Sequence, residues 1–219
     1  MARREAAKRS YHHGDLRQAL IEAACTHMRR DGAESLSLRA LAREVGVSQT
    51  APYRHFESKN ALFAAIATWG FRDMAISLRA ARDQHIDDVE EAFVQIGLAY
   101  VEWALANPEK YQLFFDSSLL DFSAYEELQL AGAEAFEVLL GLVRRGQEEG
   151  VFADHLPAEE LAGATWSSVH GMTSLLQKNQ PTDKLKGRID DSVPTALQAL
   201  ALHRREIMEL FVNTIRRPC

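Results

Sequence analysis

The sequence predicts an all-α protein with about nine helices, in which a small N-terminal three-helix unit precedes a larger helical body. Proline and glycine are sparse, at 6 and 12 of 219 residues. Runs of β-branched residues are absent, whereas Ala, Leu, Glu and Arg recur at spacings of three and four, as they do on helix faces. A chain of this length is also suited to one ordinary domain and one small domain.

Four helices are predicted at the N-terminus, and start and stop signals bound them. The first runs from about Asp15 to Arg30 and ends at Asp31-Gly32. Ser37 is the expected N-cap of the second, which ends at Gly46. The third covers about Gln49 to His55, and the fourth starts within residues 57–60 and runs past Trp69.

Five further helices are predicted in the body, at about residues 89–106, 108–115, 123–149, 158–177 and 195–215. The polar stretch over residues 178–192 contains Pro181 and Gly187, so we expect an exposed loop there. These elements predict a flexible basic arm over residues 1–14, a domain over 15–66 and a helical domain over 67–219.

Composition is that of a globular protein, with 47% apolar and 26% charged residues. The two cysteines, Cys25 and Cys219, are too few for a disulfide framework or a cysteine-rich zinc site. The apolar stretch from Ala61 to Phe71 is too short to span a membrane, and the basic N-terminus continues into polar residues rather than a signal-peptide core. We therefore expect a cytoplasmic protein.

Charge is distributed unevenly along the chain. Residues 1–60 carry eleven Lys and Arg against seven Asp and Glu, a net +4 in a chain whose total is −6, so the remainder carries −10. A basic N-terminal part joined to an acidic body is typical of a protein that places one end on phosphate groups.

The segment from Leu38 to Phe56 predicts a helix-turn-helix. Ala42 supplies the small residue that two steeply crossing helices need, Gly46 tolerates the left-handed backbone of the turn, and Val47 supplies an apolar plug. Ser48 is placed to cap the third helix. That helix would expose hydrogen-bonding side chains rather than the usual Glu and Lys, namely Gln49, Thr50, Tyr53 and Arg54.

Several local patterns accompany this turn. They are Ala33-Glu34-Ser35-Leu36-Ser37-Leu38, Gly46-Val47-Ser48, Tyr53-Arg54-His55-Phe56 and Lys59-Asn60-Ala61-Leu62-Phe63. Over about residues 15–66 the chain thereby resembles the DNA-binding domain of the TetR/AcrR family of bacterial regulators. The combination is much more specific than a generic helix-turn-helix.

The resemblance implies roles for individual residues in DNA binding. In the family, the residues that match Tyr53, His55 and Lys59 bind phosphate, and residues at the start of the third helix read bases. The expected base contacts are Arg39, Gln49, Thr50 and Ala51, and the expected phosphate contacts are Ser37, Ser48, Tyr53, Arg54, His55 and Lys59. Pro52 departs from the leucine-like residue usual in the family, so we expect a short third helix.

Other interpretations of these residues stay open. Tyr53 and Phe56 could be core aromatics, Lys59 could be a solvated charge, and Arg39 could contact a base, a phosphate or only solvent. His12-His13 could suggest a metal, but no acidic or cysteine partner is suitably spaced, so we expect no metal and no cofactor.

The body carries a second resemblance, at Trp166-Ser167-Ser168-Val169-His170-Gly171, to the Trp-His-Gly subgroup of TetR-type C-terminal domains. Trp166 and His170 share a helix face at a spacing of four. His170 is either a satisfied core histidine or part of a pocket for an apolar or aromatic effector. The predicted pocket residues are Tyr100, Trp103, Phe114, Phe136, Trp166 and His170.

The resemblance also implies a homodimer built from the last two long helices. The candidate interface residues are Ala164, Val169, Met172, Leu176, Leu200, Ile207, Leu210 and Phe211. A two-fold dimer would place the third helices of its two copies in successive major grooves of double-stranded DNA, so the operator should be a near-palindrome. We expect a repressor released by its effector, with an activator or a regulator without effector as alternatives.

Two other classes of protein are considered. An enzyme could use His170, Asp116 or Asp121, but the sequence has no nucleophile-base pair, phosphate loop or metal-ligand spacing, so we predict no enzymatic activity. A helical adaptor that never contacts DNA would show no salt-dependent nucleic-acid affinity.

Overall fold

A computed structural model describes residues 16–178 and 199–217 of the chain. Within these ranges the protein is helical, and its one β-type pairing is an isolated antiparallel bridge between Phe152 and Arg216. The helices are α1 (Leu16–Asp31), α2 (Leu38–Val45), α3 (Lys59–Asp83), α4 (Val89–Ala106), α5 (Pro108–Phe115), α6 (Glu126–Glu148), α7 (Ala158–Lys178) and α8 (Arg204–Ile215), with 3₁₀ turns at Pro52–Arg54 and Phe122–Ala124. Residues 199–202 are also helical. The predicted all-α fold is confirmed.

Side-chain caps begin three of these helices. The Ser37 hydroxyl accepts a hydrogen bond from the Ala40 N–H at 3.2 Å, and the Ser58 hydroxyl accepts one from the Ala61 N–H at 3.0 Å. The Asp88 carboxylate does the same at the start of α4. Each cap satisfies N–H groups that have no partner inside the helix. The predicted N-cap at Ser37 is therefore confirmed.

An N-terminal unit is formed by α1, α2, the first 3₁₀ turn and the start of α3. Its centre consists of fully buried apolar side chains, namely Leu20, Ile21, Leu41, Leu62 and Phe63. Helix α3 then continues without a break to Asp83. It therefore passes through the boundary predicted near Ile66, and the division into two domains stays a prediction.

The body packs around α3, which contacts both α4 and α6, while α7 lies against α4 and α6. Helix α8 packs on α4 through a close approach at Gly97. A Cβ on Gly97 would lie 2.5 Å from the Met208 sulfur, so any larger residue at position 97 would require the Met208 side chain to move. Buried side chains of the N-terminal unit and the body form one continuous hydrophobic cluster.

Helix α3 is long and apolar enough, by length and composition alone, to match a membrane-spanning segment. However, 61% of its most apolar window is buried inside the protein. Its hydropathy is that of a core helix, because α4, α5 and α6 cover it.

Several predicted boundaries need correction. The helix predicted over residues 123–149 starts at Glu126, because the Asp121 carboxylate accepts the N–H of Ser123 and begins a separate 3₁₀ turn. Residues 195–198 of the helix predicted over 195–215 lie outside the described residues, and the remainder is interrupted at His203. Residues 179–192 of the predicted loop lie outside the described residues, whereas Lys178 ends α7. The predicted basic arm, with His12-His13, also lies outside them.

Candidate nucleic-acid interface and a cavity in the body

The turn after α2 is built as the sequence predicts. Gly46 has a left-handed backbone with a φ of 78°, which is readily accessible only to glycine. The Val47 N–H donates to the Ala42 carbonyl at 2.9 Å. Ala42 is fully buried and Val47 packs against the core. The predicted structural roles of Ala42, Gly46 and Val47 are confirmed.

The segment after this turn is tighter than the helix predicted over residues 49–55. Pro52–Arg54 forms a 3₁₀ turn, and residues 49–51 form a turn and a bend. Pro52 has no N–H to donate to the Ser48 carbonyl, which instead accepts the N–H of Ala51 at 3.0 Å. The third helix is therefore one 3₁₀ turn, and the shortening predicted from proline is confirmed. We refer to residues 48–55 as the reading turn.

The reading turn presents most of its polar side chains to solvent. Gln49 and Thr50, two of the predicted base contacts, are exposed, as is Arg39 on α2. Ala51, the fourth, is half-buried and packs against the core, so less of it is available to a partner. The predicted phosphate contacts Ser37, Ser48, Tyr53, Arg54 and His55 are all exposed.

The two aromatic residues of this motif differ in environment. Tyr53 is 49% exposed, whereas Phe56 is 3% exposed. The alternative that both are core aromatics is therefore wrong for Tyr53 and right for Phe56. The exposed side chains of Tyr53, Arg54 and His55 offer hydrogen-bond donors at the surface. Phosphate oxygens accept hydrogen bonds from such donors.

Ser48 does not cap the 3₁₀ turn, contrary to prediction. The residue in the N-cap position is Ala51, which makes no side-chain cap bond. The Ser48 hydroxyl lies 3.3 Å from the Thr50 hydroxyl instead, because Pro52 moves the start of the helical backbone to residue 52. The two hydroxyls therefore lie next to each other on the exposed side of the turn.

Lys59 opens α3 at the edge of the same surface. Its ammonium donates to the Glu34 carbonyl at 2.9 Å and lies 5.2 Å from the centre of the Phe63 ring. Partial burial lowers the pKa of Lys59. A DNA phosphate bound at Lys59 would therefore accept a hydrogen bond from an ammonium that also donates to the Glu34 carbonyl.

Arg17 is a further cation at this surface that was not among the predicted phosphate contacts. Its guanidinium carbon lies 5.3 Å from the centre of the Phe56 ring. Arg17, Tyr53 and His55 line one groove of about 400 Å³ that reaches the start of α6. The only signal was a basic residue in the first turn of α1, which is common on solvated helices.

A polar network holds α1 and α2 together. His27 is buried, and its Nδ1 lies 3.0 Å from the Glu44 carboxylate while its Nε2 lies 3.1 Å from the Ser35 hydroxyl. Arg30 donates to the same carboxylate at 3.0 Å. The hydrogen bond with His27, followed by the one from Arg30, lowers the pKa of Glu44. This network links α1 to α2, the helix that carries Arg39.

The body contains a cavity of about 560 Å³. Side chains of α3, α4, α5, α6, α7 and α8 line it, and most of these side chains are apolar. Four of the six predicted pocket residues are among them, namely Tyr100, Phe114, Phe136 and Trp166. Phe71 and Phe122, which the sequence analysis did not select, complete an aromatic wall with Phe114.

The other two predicted pocket residues, Trp103 and His170, do not line the cavity. Trp103 is held outside the cavity lining by two contacts. Its indole N–H donates to the Asp73 carboxylate at 2.8 Å, and its ring stacks on Phe114. His170 stacks on Trp166, as their spacing predicts, but lies behind the wall in contact with Phe115.

His170 belongs to a chain of hydrogen-bonded polar groups. Its Nδ1 lies 2.6 Å from the Tyr111 hydroxyl, which lies 3.1 Å from the Tyr100 hydroxyl. Its Nε2 lies 3.4 Å from the Ser174 hydroxyl. Burial lowers the pKa of His170 and raises the pKa of Tyr100. All four groups are therefore uncharged near neutral pH, in keeping with the satisfied core histidine among the two predicted alternatives.

Helix α5 connects the cavity with the N-terminal unit. Phe114 lines the cavity and stacks on Phe71 of α3 with ring centres 3.6 Å apart. On the same helix, Glu109 is buried and accepts two hydrogen bonds from Arg29 of α1, at 2.6 Å and 3.0 Å. A displacement of α5 by a molecule in the cavity would therefore reach α1 directly.

The predicted dimer face is only partly free in the single chain. Ala164 and Leu210 are exposed, whereas Val169 and Met172 are buried within the chain. The other candidates, Leu176, Leu200, Ile207 and Phe211, are half-buried. Contrary to prediction, Val169 and Met172 therefore belong to the buried core of the single chain, so little of either side chain is available to a second copy.

Family models match both parts of the chain. Residues 20–66 match the model of bacterial regulatory proteins of the tetR family. Residues 93–216, more than half of the chain, match the model of the tetracyclin repressor-like C-terminal domain. The narrower resemblance to the Trp-His-Gly subgroup stays a prediction.

Several curated relatives are helix-turn-helix transcriptional regulators. Two from Mycobacterium bovis and Mycobacterium tuberculosis are 29% identical over 106 residues, covering 48% of this chain and 45% of theirs. The chain thus matches less than half the length of these relatives. A transcriptional repressor from Streptomyces coelicolor is 26% identical over 155 residues, covering 68% of this chain and 77% of the repressor.

Solved structures share the fold of the chain. A protein of unknown function from Rhodococcus sp. RHA1 superimposes with a TM-score of 0.75 at 28% identity, covering 96% of this chain and all of that one. A TetR family transcriptional regulator from Thermus thermophilus superimposes with a TM-score of 0.61 at 22% identity, covering 74% of this chain and 88% of that one. The second similarity supports the fold alone.

Proposed function

Since this chain belongs to the TetR family of bacterial regulatory proteins, we propose that it is a cytoplasmic, homodimeric transcriptional regulator that binds a palindromic DNA operator. The observation that carries this proposal is the reading turn, whose side chains at positions 48–50 and 53–55 are exposed next to a buried helix-turn-helix core. Exposed hydrogen-bonding groups on a rigid support are what direct readout of base edges requires. No catalytic role is part of the proposal.

The proposed contacts fall into two classes. Gln49, Thr50 and Arg39 would read base edges, and Ala51 would add an apolar contact. The phosphate contacts would come from Ser37, Ser48, Tyr53, Arg54, His55 and Lys59. Arg17 joins this second class because it lies in the same groove as Tyr53 and His55.

We further propose repression that a small apolar or aromatic effector relieves. Helix α3 starts with Lys59 at the proposed DNA surface and continues to Phe71, Met74 and Leu78, which line the cavity. An effector that prefers a rotated α3 would shift the population towards dimers whose reading turns no longer match two successive major grooves.

Selection from a random double-stranded DNA library tests this function. The purified full-length protein should enrich a near-palindrome whose half-sites lie about 34–36 Å apart, one helical turn of DNA. Enrichment without any shared sequence would contradict specific recognition. An effector that tightened operator binding in a mobility-shift assay would contradict release by an inducer.

A further inference from the structure

We infer that the effector cavity selects uncharged aromatic compounds and discriminates against both organic cations and organic anions of the same ring size. This inference rests on the proposed effector-binding function and names the chemical class of the ligand. Three features of the cavity carry it, namely its lack of charge, its aromatic walls and the neutral state of its polar edge.

The first feature is the absence of charged side chains from the lining. Among the described residues that line the cavity, the polar ones are Tyr100, Gln129, Thr165 and Trp166, and the rest are apolar residues, alanine or glycine. An ion brought from water into such a site loses its hydration without gaining a counter-charge, and that loss is large.

Charged groups near the aromatic wall, moreover, have other partners. The Asp73 carboxylate accepts the Trp103 indole N–H at 2.8 Å. The Glu109 carboxylate is held by Arg29. The Lys110 ammonium donates to Asn107 at 2.7 Å and lies 4.1 Å from the centre of a Trp69 ring. Recruiting any of these groups to a ligand would break an existing interaction.

The walls themselves, the second feature, favour flat rings. Phe71 and Phe114 are stacked, Phe122 meets Phe71 edge-on at 5.9 Å, and Phe136 meets Trp166 edge-on at 6.4 Å. Such faces and edges attract aromatic ligands in offset or T-shaped contacts. Rings also attract cations, but that attraction is smaller than the lost hydration of an ion that has no counter-charge.

The third feature is the neutral polar edge of the cavity. Tyr100 is held by Tyr111, and Tyr111 is held by His170. Since burial raises the pKa of Tyr100 and lowers that of His170, a ligand meets a phenol rather than a phenolate, with a neutral imidazole behind it. Neither a positive nor a negative ligand finds a complementary charge at this edge.

Three matched probes test the inference on the purified full-length protein at pH 7. They share one anthracene ring and differ in charge: 9-anthracenemethanol is neutral, 9-(aminomethyl)anthracene is a cation, and anthracene-9-carboxylate is an anion. Fluorescence titration should show that the neutral probe binds at least tenfold more tightly than either ion. A charged probe that binds as tightly as the neutral one would overturn the inference and leave effector binding intact.

A substitution in the lining places the probe in the cavity. Gly163 lines the cavity, and a Cβ added there would meet nothing within 4 Å, so Gly163→Leu should fold and fill part of the space. We expect it to weaken binding of the neutral probe at least tenfold, and Gly163→Ala, the matched control, to weaken it less than threefold.

The remaining outcomes are also decisive. Unchanged binding by a folded Gly163→Leu variant would locate the probe elsewhere and overturn the inference. If none of the three probes binds, the inference is overturned, whereas the proposed release by an effector is judged separately by the mobility-shift assay. Circular dichroism of both variants distinguishes a filled cavity from an unfolded protein.

Discussion

Replacing Arg29 by methionine would leave the buried Glu109 carboxylate without its cationic partner. The Glu109 side chain is 2% exposed and the Arg29 side chain is 56% exposed. Once the guanidinium is removed, water can therefore reach the Glu109 carboxylate only through the space that Arg29 occupied. Removing one member of a buried pair costs roughly 3–5 kcal/mol. Because Arg29 is half in solvent, we expect a loss of about 2 kcal/mol in the free energy of unfolding.

Urea denaturation at a fixed protein concentration measures this loss. With a urea dependence of about 2–3 kcal/mol per molar, the midpoint should fall by roughly 0.7–1 M. Fixed concentration matters because dimer dissociation would contribute to the apparent stability. Arg72→Met is the matched control, because Arg72 and Glu127 form an ion pair with both partners exposed, and the expected loss there is below about 1 kcal/mol.

The double variant gives the sharper test. Arg29→Met combined with Glu109→Gln removes the buried charge together with its partner, so the double variant should be more stable than Arg29→Met alone. A single Arg29→Met variant no less stable than the Arg72→Met control would refute the reasoning. So would a double variant whose loss equals the sum of the two single losses.

Three further predictions concern readout, phosphate binding and pH. Gln49→Ala should relax selectivity at one base pair by about 1–3 kcal/mol in a library selection, and recovery of an unchanged operator would remove Gln49 from the base contacts. Tyr53→Phe should weaken binding to the operator and to unrelated DNA by similar factors, because phosphate contacts carry no sequence information. Anisotropy titrations measure both affinities, and a loss confined to the operator would contradict this role. Hydrogen bonds from Arg205 lower the pKa of Glu91 from 4.5 to about 2, so this carboxylate stabilises the folded state above about pH 4.5 and progressively less as the pH falls towards 2. Arg205→Gln should therefore lower the free energy of unfolding only slightly at pH 7, since Arg205 is 47% exposed. The difference in stability between the variant and the unchanged protein should shrink between pH 4.5 and 2 in urea titrations, whereas a constant difference would contradict the assignment.

Local chemistry makes some elements predictable from sequence. The bounds of α4 and α5 agree with prediction, because Asn107-Pro108 both ends one helix and starts the next. The shortening of the third helix within the reading turn is likewise predictable from Pro52. Gly46 predicts the turn because its required backbone conformation depends on residue type alone.

Long-range contacts explain what the sequence could not predict. Nothing in the order of residues shows that Arg29 reaches Glu109, 80 positions away. An acidic residue directly after a helix-starting proline ordinarily suggests a solvated charge beside the helix N-terminus. The lining of the cavity depends in the same way on packing, since His170 and Trp103 are aromatic candidates by type but are held behind the wall by Tyr111 and Asp73.

The central claim, that the reading turn contacts DNA, is tested most directly by hydrogen-deuterium exchange of the full-length protein with its selected operator and with a scrambled duplex. Peptides that cover residues 37–59 should exchange more slowly on the operator than on the scrambled DNA, with little change in α6. Protection confined to the body, with exchange at residues 48–55 unaltered, would contradict the claim.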